Sequence, residues 1–428
     1  MPASAVATPA VYRPRYPEQT PLYRLLDAHF DRYVRTHSEH FEPRHGPLRY
    51  VVERVVAQYL DCGRLRSGFA RLRCRSCGAE HLLAFSCQTR NFCPSCQAKR
   101  AALFAERVRE EIALPVPHRH ITFTIPKALR ALFERDRRLL SILSRSAYEA
   151  LRRTYAAYFA RDDATPGVIA SIQTFGSFAN FHPHVHTTVT EGVVTTDGTF
   201  LPLLEPDLDA VTELFRRLVL AALRKAGRLS ESFQERLLSW SPSGFSAYGK
   251  QVAHADEPGK LERMARYIAR APFALGKIHV LPNDRVRVDT PPDPRTGATH
   301  VEMDALEFIH RVTTQIPDAR RHLIRYYGAY SHRSRGARRA REEAEGEAAG
   351  KPPADAGADE PAPTKSRASW ARLLRRIYEA DPLLCPRCKG PLEVLSVLVD
   401  PKVVDAILRH LDVTDQPTSV HARDPPAA

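Results

Sequence analysis

The chain has 428 residues, with 63 Lys and Arg against 49 Asp and Glu and a formal net charge of +14. That length gives room for two or three domains, and the positive excess favours a polyanionic partner, nucleic acid first. No run of 18 apolar residues occurs, which excludes a membrane-spanning helix, and residues 1–19 lack the apolar core of a secretory signal, so a cytoplasmic protein is expected.

Residues 1–20 hold several prolines and little periodicity and read as a flexible arm. Leu22, Leu25, Leu26, Phe30 and Tyr33, then Leu48, Val51, Val52, Val55, Val56 and Tyr59, recur at helical spacing. Pro43 and Gly46-Pro47 divide them into two helices.

Six of the eight cysteines follow between Cys62 and Cys96. In a reducing compartment such clustering points to metal rather than disulfides. Cys74-x-x-Cys77 and Cys93-x-x-Cys96 are two knuckles separated by 15 residues, which predicts a tetrahedral zinc site on those four thiolates. The surrounding Arg71, Arg73, Lys99 and Arg100 suit phosphate contacts, a solvated basic face being the plainer reading of any one of them. A helix over 97–113 completes a helical, zinc-binding and DNA-binding domain expected at 21–113.

After Leu114-Pro115-Val116-Pro117, strands are predicted at 118–125 and 168–175, with one or two amphipathic helices over 127–160 between them. The stretch Phe181-His182-Pro183-His184-Val185-His186 alternates at period two, so its three histidines share a strand face. Residues i and i+4 on a strand lie more than ~13 Å apart, so a chelating pair is two of the three. Pro183 weakens the strand at its start, which selects His184 with His186. Glu191-Gly192 and Asp197-Gly198 mark a hairpin, and residues 206–227 are helical.

Residues 257–270 predict a short helix stopped by Pro272. Leu261, Met264, Ala265 and Ile268 line one face, and Arg263, Tyr267 and Arg270 fall together on the other. Two guanidinium groups beside a phenol favour phenolate and attract phosphate. Alone, Tyr267 reads as a half-exposed packing residue. Beside a cation held by two imidazoles it reads as a nucleophile for a phosphodiester. A hairpin at 276–288, a helix through Leu306, Phe308, Ile309 and Val312, and a strand at 322–327 follow. Arg325 with Tyr326 and Tyr327 would line a DNA channel, core packing being an equal reading of the tyrosines. Residues 336–366 turn Glu-, Ala- and Pro-rich, a disordered linker by composition. A small C-terminal domain at 367–428 is then expected, with a helix from Trp370 to Tyr378, Cys385-x-x-Cys388, a strand and a helix. Cys62, Cys87, Cys385 and Cys388 are left over by the first zinc assignment; buried free thiols and a metal-free C-terminal knuckle are the plainer reading, a second four-thiolate set the sharper one.

Taken together, these motifs resemble the rolling-circle insertion-sequence transposases of the IS ninety-one type, within the HUH nuclease superfamily. The resemblance is carried by Ala84-Phe85-Ser86-Cys87, Phe92-Cys93-Pro94-Ser95-Cys96, Leu114-Pro115-Val116-Pro117 and His120-Ile121-Thr122-Phe123-Thr124. Gln173-Thr174-Phe175-Gly176 with His182-Pro183-His184-Val185-His186, Arg266 to Pro272, Arg325-Tyr326-Tyr327-Gly328 and Cys385-Pro386-Arg387-Cys388 extend it. It implies an α+β fold in which an antiparallel sheet, with helices on one face, occupies 114–335. It also implies Mg²⁺ or Mn²⁺ at His184 and His186, Tyr267 as nucleophile, and Zn²⁺ at the N-terminal ribbon. Gln173, whose strand precedes the histidine strand and whose carboxamide oxygen suits a hard cation, is the candidate third ligand, a hydrogen bond across strands being an equal reading. The partner implied is single-stranded DNA at element ends, with hairpins, and the host replication machinery is a possible further one. Arg263 stands four residues before Tyr267, where a second helical tyrosine would sit, so a single-tyrosine form is the better match. A plasmid relaxase or replication initiator, or a non-enzymatic zinc-ribbon regulator, are the alternatives.

Overall fold

A computed structural model describes residues 16–176, 180–203, 205–293, 296–348 and 384–411. Its centre is a five-stranded sheet in the order Ile324–Gly328, Gly167–Phe175, Phe181–Thr190, His118–Thr124 and Ser246–Ala253. Every neighbouring pair is antiparallel, so the expected antiparallel α+β architecture is present. Gly167–Phe175 is buried along its whole length, as β-branched and apolar residues on a middle strand demand. Its even-numbered residues Val168, Ala170 and Ile172 face a core shared with the helices Leu140–Phe159 and Leu208–Lys225. Its odd-numbered Ile169 faces the other way, into a cluster with Ala265, Ile268, Ala105 and Val108. Helices therefore cover both faces, not one. A strand with apolar residues in both alternating sets must bury both.

The long N-terminal helix Pro21–His40 is capped by Thr20, whose side chain accepts from the Tyr23 amide. With Tyr50–Leu60 it buries Leu22, Leu25, Leu26, Tyr33, Val52 and Val56. The opposite wall of that core comes from far along the chain: the helix Ala305–Thr314 and the three strands Ile278–Leu281, Arg285–Asp289 and His300–Asp304. Residues 278–316, expected inside the 114–335 domain, thus build the N-terminal core. The apolar stripes of both segments need a partner, and each satisfies the other.

Phe69–Cys74 and Glu80–Ala84 form an antiparallel hairpin. A third strand, Leu392–Leu398, pairs with Phe69–Cys74 on its free edge. The following helix Pro401–His410, capped by Asp400, sets Val404 and Leu408 on Leu65 and Phe69. Gly68, at φ +110°, permits this: a Cβ there would stand 2.9 Å from the Leu398 carbonyl oxygen. The described part of the tail completes the ribbon and is not a separate domain. Residues 336–348, expected in the linker, continue a helix from His332 to Ala348, in keeping with their Ala, Arg and Glu content. Residues 1–15, 349–383 and 412–428, which hold most of the expected arm, the rest of the linker and the expected Trp370 helix, lie outside the described residues.

Candidate active site and thiolate centres

The eight cysteines, none in a disulfide, form two groups of four. Cys62, Cys87, Cys93 and Cys96 lie together, with Cys62 Sγ 4.0 Å from both Cys93 and Cys96 and Cys87 Sγ 3.6 Å from Cys96. Cys74, Cys77, Cys385 and Cys388 form the other, with Cys74 Sγ 3.4 Å from Cys388 and Cys77 Sγ 3.7 Å from Cys385. Four sulfurs at ~2.3 Å from one tetrahedral ion stand ~3.8 Å apart, so both sets fit zinc. His81 Nε2 lies 3.6 Å from Cys385 Sγ, beside the second set.

This grouping corrects both expected sets. Cys74 and Cys77 sit at the tip of the hairpin, whereas Cys62 and Cys87 flank its base, where Gly63 N–H donates to the Phe85 carbonyl at 2.9 Å. A strand of six residues holds tip and base ~20 Å apart. The two C-x-x-C knuckles therefore cannot share an ion, and each takes its partners from the nearest other cysteines in space.

The second centre of chemistry lies on the polar face of the sheet. Register sets Gln173 and Thr124 opposite His184, and Ser171 and Thr122 opposite His186. His184 and His186 are both buried, and their Nε2 atoms are 3.0 Å apart. His184 Nδ1 lies 2.7 Å from the His182 carbonyl oxygen and so must carry the hydrogen it donates. Burial lowers the His184 pKa, leaving a neutral ring with a bare lone pair on Nε2. Burial, with His184, His120 and Arg270 nearby, pushes His186 down to about 2. Two nitrogens each ~2.1 Å from an ion in adjacent octahedral positions would be ~3 Å apart, so the pair fits a divalent cation.

Gln173 is 2 % exposed; its Nε2 donates to the Ile268 carbonyl at 3.0 Å, and its Oε1 has no partner. A buried amide oxygen without a donor is costly and unusual, and a cation would satisfy it. His182 has a buried Nε2 without a partner and a ring centroid 5.2 Å from that of His184.

Tyr267 rides on the helix Pro258–Ile268, whose C-terminal carbonyls are held from three directions. Ser171 Oγ and Gln173 Nε2 donate to Ile268 at 2.7 and 3.0 Å, and Gln97 Nε2 donates to Ala269 at 2.7 Å. These bonds satisfy acceptors that a helix end leaves open and fix the Tyr267 ring over the sheet. That ring stands edge-on to His186 at 5.4 Å and to His120 at 5.6 Å. It is 42 % exposed, and the Arg270 guanidinium lies 4.3 Å from its centroid. Arg263 is exposed on the same helix.

His120 was not anticipated. Its Nε2 is 3.0 Å from His186 Nδ1, its ring stacks on that of His186 at 5.1 Å, and burial, then Arg270, brings its pKa to about 4. The period-two pair His118 and His120 on a strand was the available signal.

A cavity of about 350 Å³ adjoins the helix end and is walled by Arg90, Arg100, Arg107, Arg270, Gln173 and Tyr326. Tyr327, by contrast, stacks on Tyr148 at 4.9 Å and shares a hydrogen bond with Ser144, so it packs in the core. Arg325, on the same strand, has a buried Nε without a partner. Among the other basic candidates, Arg71 is paired with Glu80 at 2.6 Å, Arg100 donates to the Gln88 carbonyl at 3.2 Å, Arg73 is exposed and Lys99 half-buried. Among the described residues, no helix is long and apolar enough to cross a membrane.

Comparison with known proteins adds to this geometry. A family described as "Transposase zinc-binding domain" matches residues 33–125, and one described as "Putative transposase" matches residues 167–338. The chain is 29 % identical over 323 residues to "Putative transposase y4qJ" of Sinorhizobium fredii, across 70 % of this chain and 80 % of the relative. It is 28 % identical over 309 residues to "Transposase for insertion sequence element IS801" of Pseudomonas savastanoi pv. phaseolicola, across 67 % of this chain and 72 % of the relative. No solved structure matches.

Proposed function

The chain belongs to the insertion-sequence transposases of the IS ninety-one type, and from that premise we propose that it nicks single-stranded DNA at element ends through Tyr267. The observation that carries the proposal is the edge-on approach of Tyr267 to His186, 5.4 Å between ring centroids, above two imidazoles whose Nε2 atoms are 3.0 Å apart.

In this reading His184, His186 and the Gln173 carboxamide oxygen hold Mg²⁺ or Mn²⁺. Such a cation, when bound, neutralises charge on the scissile phosphodiester and polarises it. Arg270 and Arg263 draw the phosphate to the phenol. The Tyr267 oxygen attacks phosphorus, a bond from phosphorus to tyrosine forms, and the bond to the 3′ oxygen breaks. The phenolic proton goes to that oxygen, leaving a free 3′-OH and a 5′-phosphotyrosine. The number of phosphodiester bonds is unchanged, so the reverse attack by another 3′-OH rejoins strands. His120, stacked on His186, orients that ligand rather than binding the cation, as outer-shell partners of ligating histidines do.

Arg263 in the place of a second helical tyrosine supports a single-tyrosine cycle. The cavity beside the helix end, with four guanidinium groups and Tyr326, suits an unpaired strand by charge and by stacking. The two thiolate centres hold Zn²⁺ and keep the ribbon rigid as a DNA-contacting module, with Arg73, Lys99 and Arg100 on or beside it. A cytoplasmic setting agrees with eight unpaired thiols. Incubation with a hairpin-bearing single strand and Mg²⁺ tests the proposal: a denaturant-resistant protein–DNA adduct is expected from the wild type and none from Tyr267→Phe.

A further inference from the structure

Away from the nuclease site, three chemically active side chains from distant parts of the chain meet at one point. His45 closes the turn after the first helix, Glu134 lies on the helix Lys127–Arg135, and His310 lies on Ala305–Thr314. One ligating atom from each lies within 4.8 Å of the other two. His45 Nδ1 is already 3.0 Å from Glu134 Oε1, and the His45 and His310 ring centroids are 4.3 Å apart.

We propose that His45, Glu134 and His310 form a further cation site, with two imidazoles and one carboxylate, for zinc or another late first-row divalent ion. Ligands at ~2.0–2.1 Å from a tetrahedral ion stand ~3.3 Å apart. The His45 and Glu134 atoms meet that spacing, and the widest pair closes by at most ~1.5 Å. His310 is already oriented as a ligand, because its Nδ1 is 3.2 Å from the Tyr33 hydroxyl, which leaves Nε2 for the ion. Its ring is held by stacking on Phe41 at 4.6 Å. Burial, with His45 and His37 beside it, pushes the His310 pKa down to about 3, so the ring is neutral. Of the cations in the wall, Arg49 pairs with Asp318 at 2.9 Å, and Arg137 donates to the Glu134 backbone carbonyl at 3.3 Å with its guanidinium 4.4 Å over the Phe181 ring. A cavity of about 290 Å³ at the cluster admits the ion and a water in the fourth position.

The placement gives the site its purpose. His45 and His310 belong to the N-terminal helical core, whereas Glu134 belongs to a helix packed on the catalytic sheet. An ion there clamps the two bodies together, close to Arg137 and, through Phe181, to the start of the histidine strand.

The test uses the full chain carrying His184→Ala and His186→Ala, so that the nuclease pair holds no ion. The protein is loaded with zinc, desalted, and its zinc counted by mass spectrometry with and without Glu134→Gln or His45→Gln. Glu134→Gln keeps the side-chain size, and His45→Gln perturbs a different element, so a folding defect common to both is not expected. Each is expected to remove one equivalent and to abolish the rise in unfolding temperature that added zinc gives the parent. Equal zinc content in parent and variants, or a parent with no equivalent beyond those its cysteines hold, overturns the proposal and leaves an ion pair only. Strand nicking is not read here, so the result is independent of the nuclease assignment.

Discussion

Replacing Cys77 and Cys388 by serine, singly and together, should remove the same ion once. Cys77 Sγ faces Cys385 at 3.7 Å and Cys388 Sγ faces Cys74 at 3.4 Å, so either change breaks one four-thiolate set. A structural zinc contributes on the order of 10–16 kcal/mol in small domains. The apolar anchors of the tail, Val404 and Leu408, contribute about 1.5–3 kcal/mol each. The ion therefore dominates the attachment of the third ribbon strand. The Cys62 centre, a hairpin length away, should keep its zinc. Zinc content and limited proteolysis read both effects. Cys77→Ser, Cys388→Ser and the double variant should each lose one equivalent and expose the chain around Leu392–His410 to cleavage. Cys77→Ser with Cys96→Ser should lose two. Loss of only one equivalent from that last pair, or none from Cys388→Ser, would refute the grouping.

Other outcomes follow from the same structure. Gln173→Leu removes a donor from the Ile268 carbonyl, which Ser171 still serves, and also removes an unpartnered buried oxygen. Stability should change by no more than about 1 kcal/mol in denaturant titration, while strand nicking falls at least ~10-fold; nicking at the wild-type rate would show that Gln173 only holds the helix end. His118 is buried against Tyr330, and burial brings its pKa to about 4, below the ~6.5 of an unfolded histidine. Its contribution is therefore complete above pH 6.5 and is lost as pH falls from 6.5 toward 4, by on the order of 3 kcal/mol in all. Equilibrium unfolding at a series of pH values should show a slope that His118 shares with the other histidines whose pKa burial lowers, His120, His186 and His310 among them, and His118→Gln should reduce it without abolishing it; an unchanged slope would show that His118 contributes none of it.

Much of the nuclease half was legible because its signals are local. Period-two alternation gave the histidine strand, and helical spacing put Arg263, Tyr267 and Arg270 on the exposed face of one short helix. Of the pairings in the five-stranded sheet, only that of Gly167–Phe175 with Phe181–Thr190 joins consecutive strands; His118–Thr124 with Ser246–Ala253 and Ile324–Gly328 with Gly167–Phe175 join strands more than a hundred positions apart. What stayed hidden depends on contacts between residues hundreds of positions apart. Cys385 and Cys388 complete a site begun at Cys74, and no spacing rule reaches that far. Two C-x-x-C knuckles near each other in sequence suggest one ion until one of them proves to sit at the tip of a hairpin and the other beside its base. Ala305–Thr314 carries an apolar stripe that any core would accept, so its union with the N-terminal helices was invisible. His120 had only the weak cue of a second period-two histidine pair, and one more histidine on a strand is ordinary; its 3.0 Å approach to His186 Nδ1 is what gives it a role.

Covalent joining of Tyr267 to DNA is the central claim. Mapping the crosslinked peptide after incubation with a single-stranded hairpin end and Mg²⁺ tests it most directly. The expected result is a 5′-phosphate ester on Tyr267, lost in Tyr267→Phe and in His184→Ala, while both variants keep the zinc of the thiolate centres. An adduct on another residue, or one that persists undiminished in Tyr267→Phe, would contradict it.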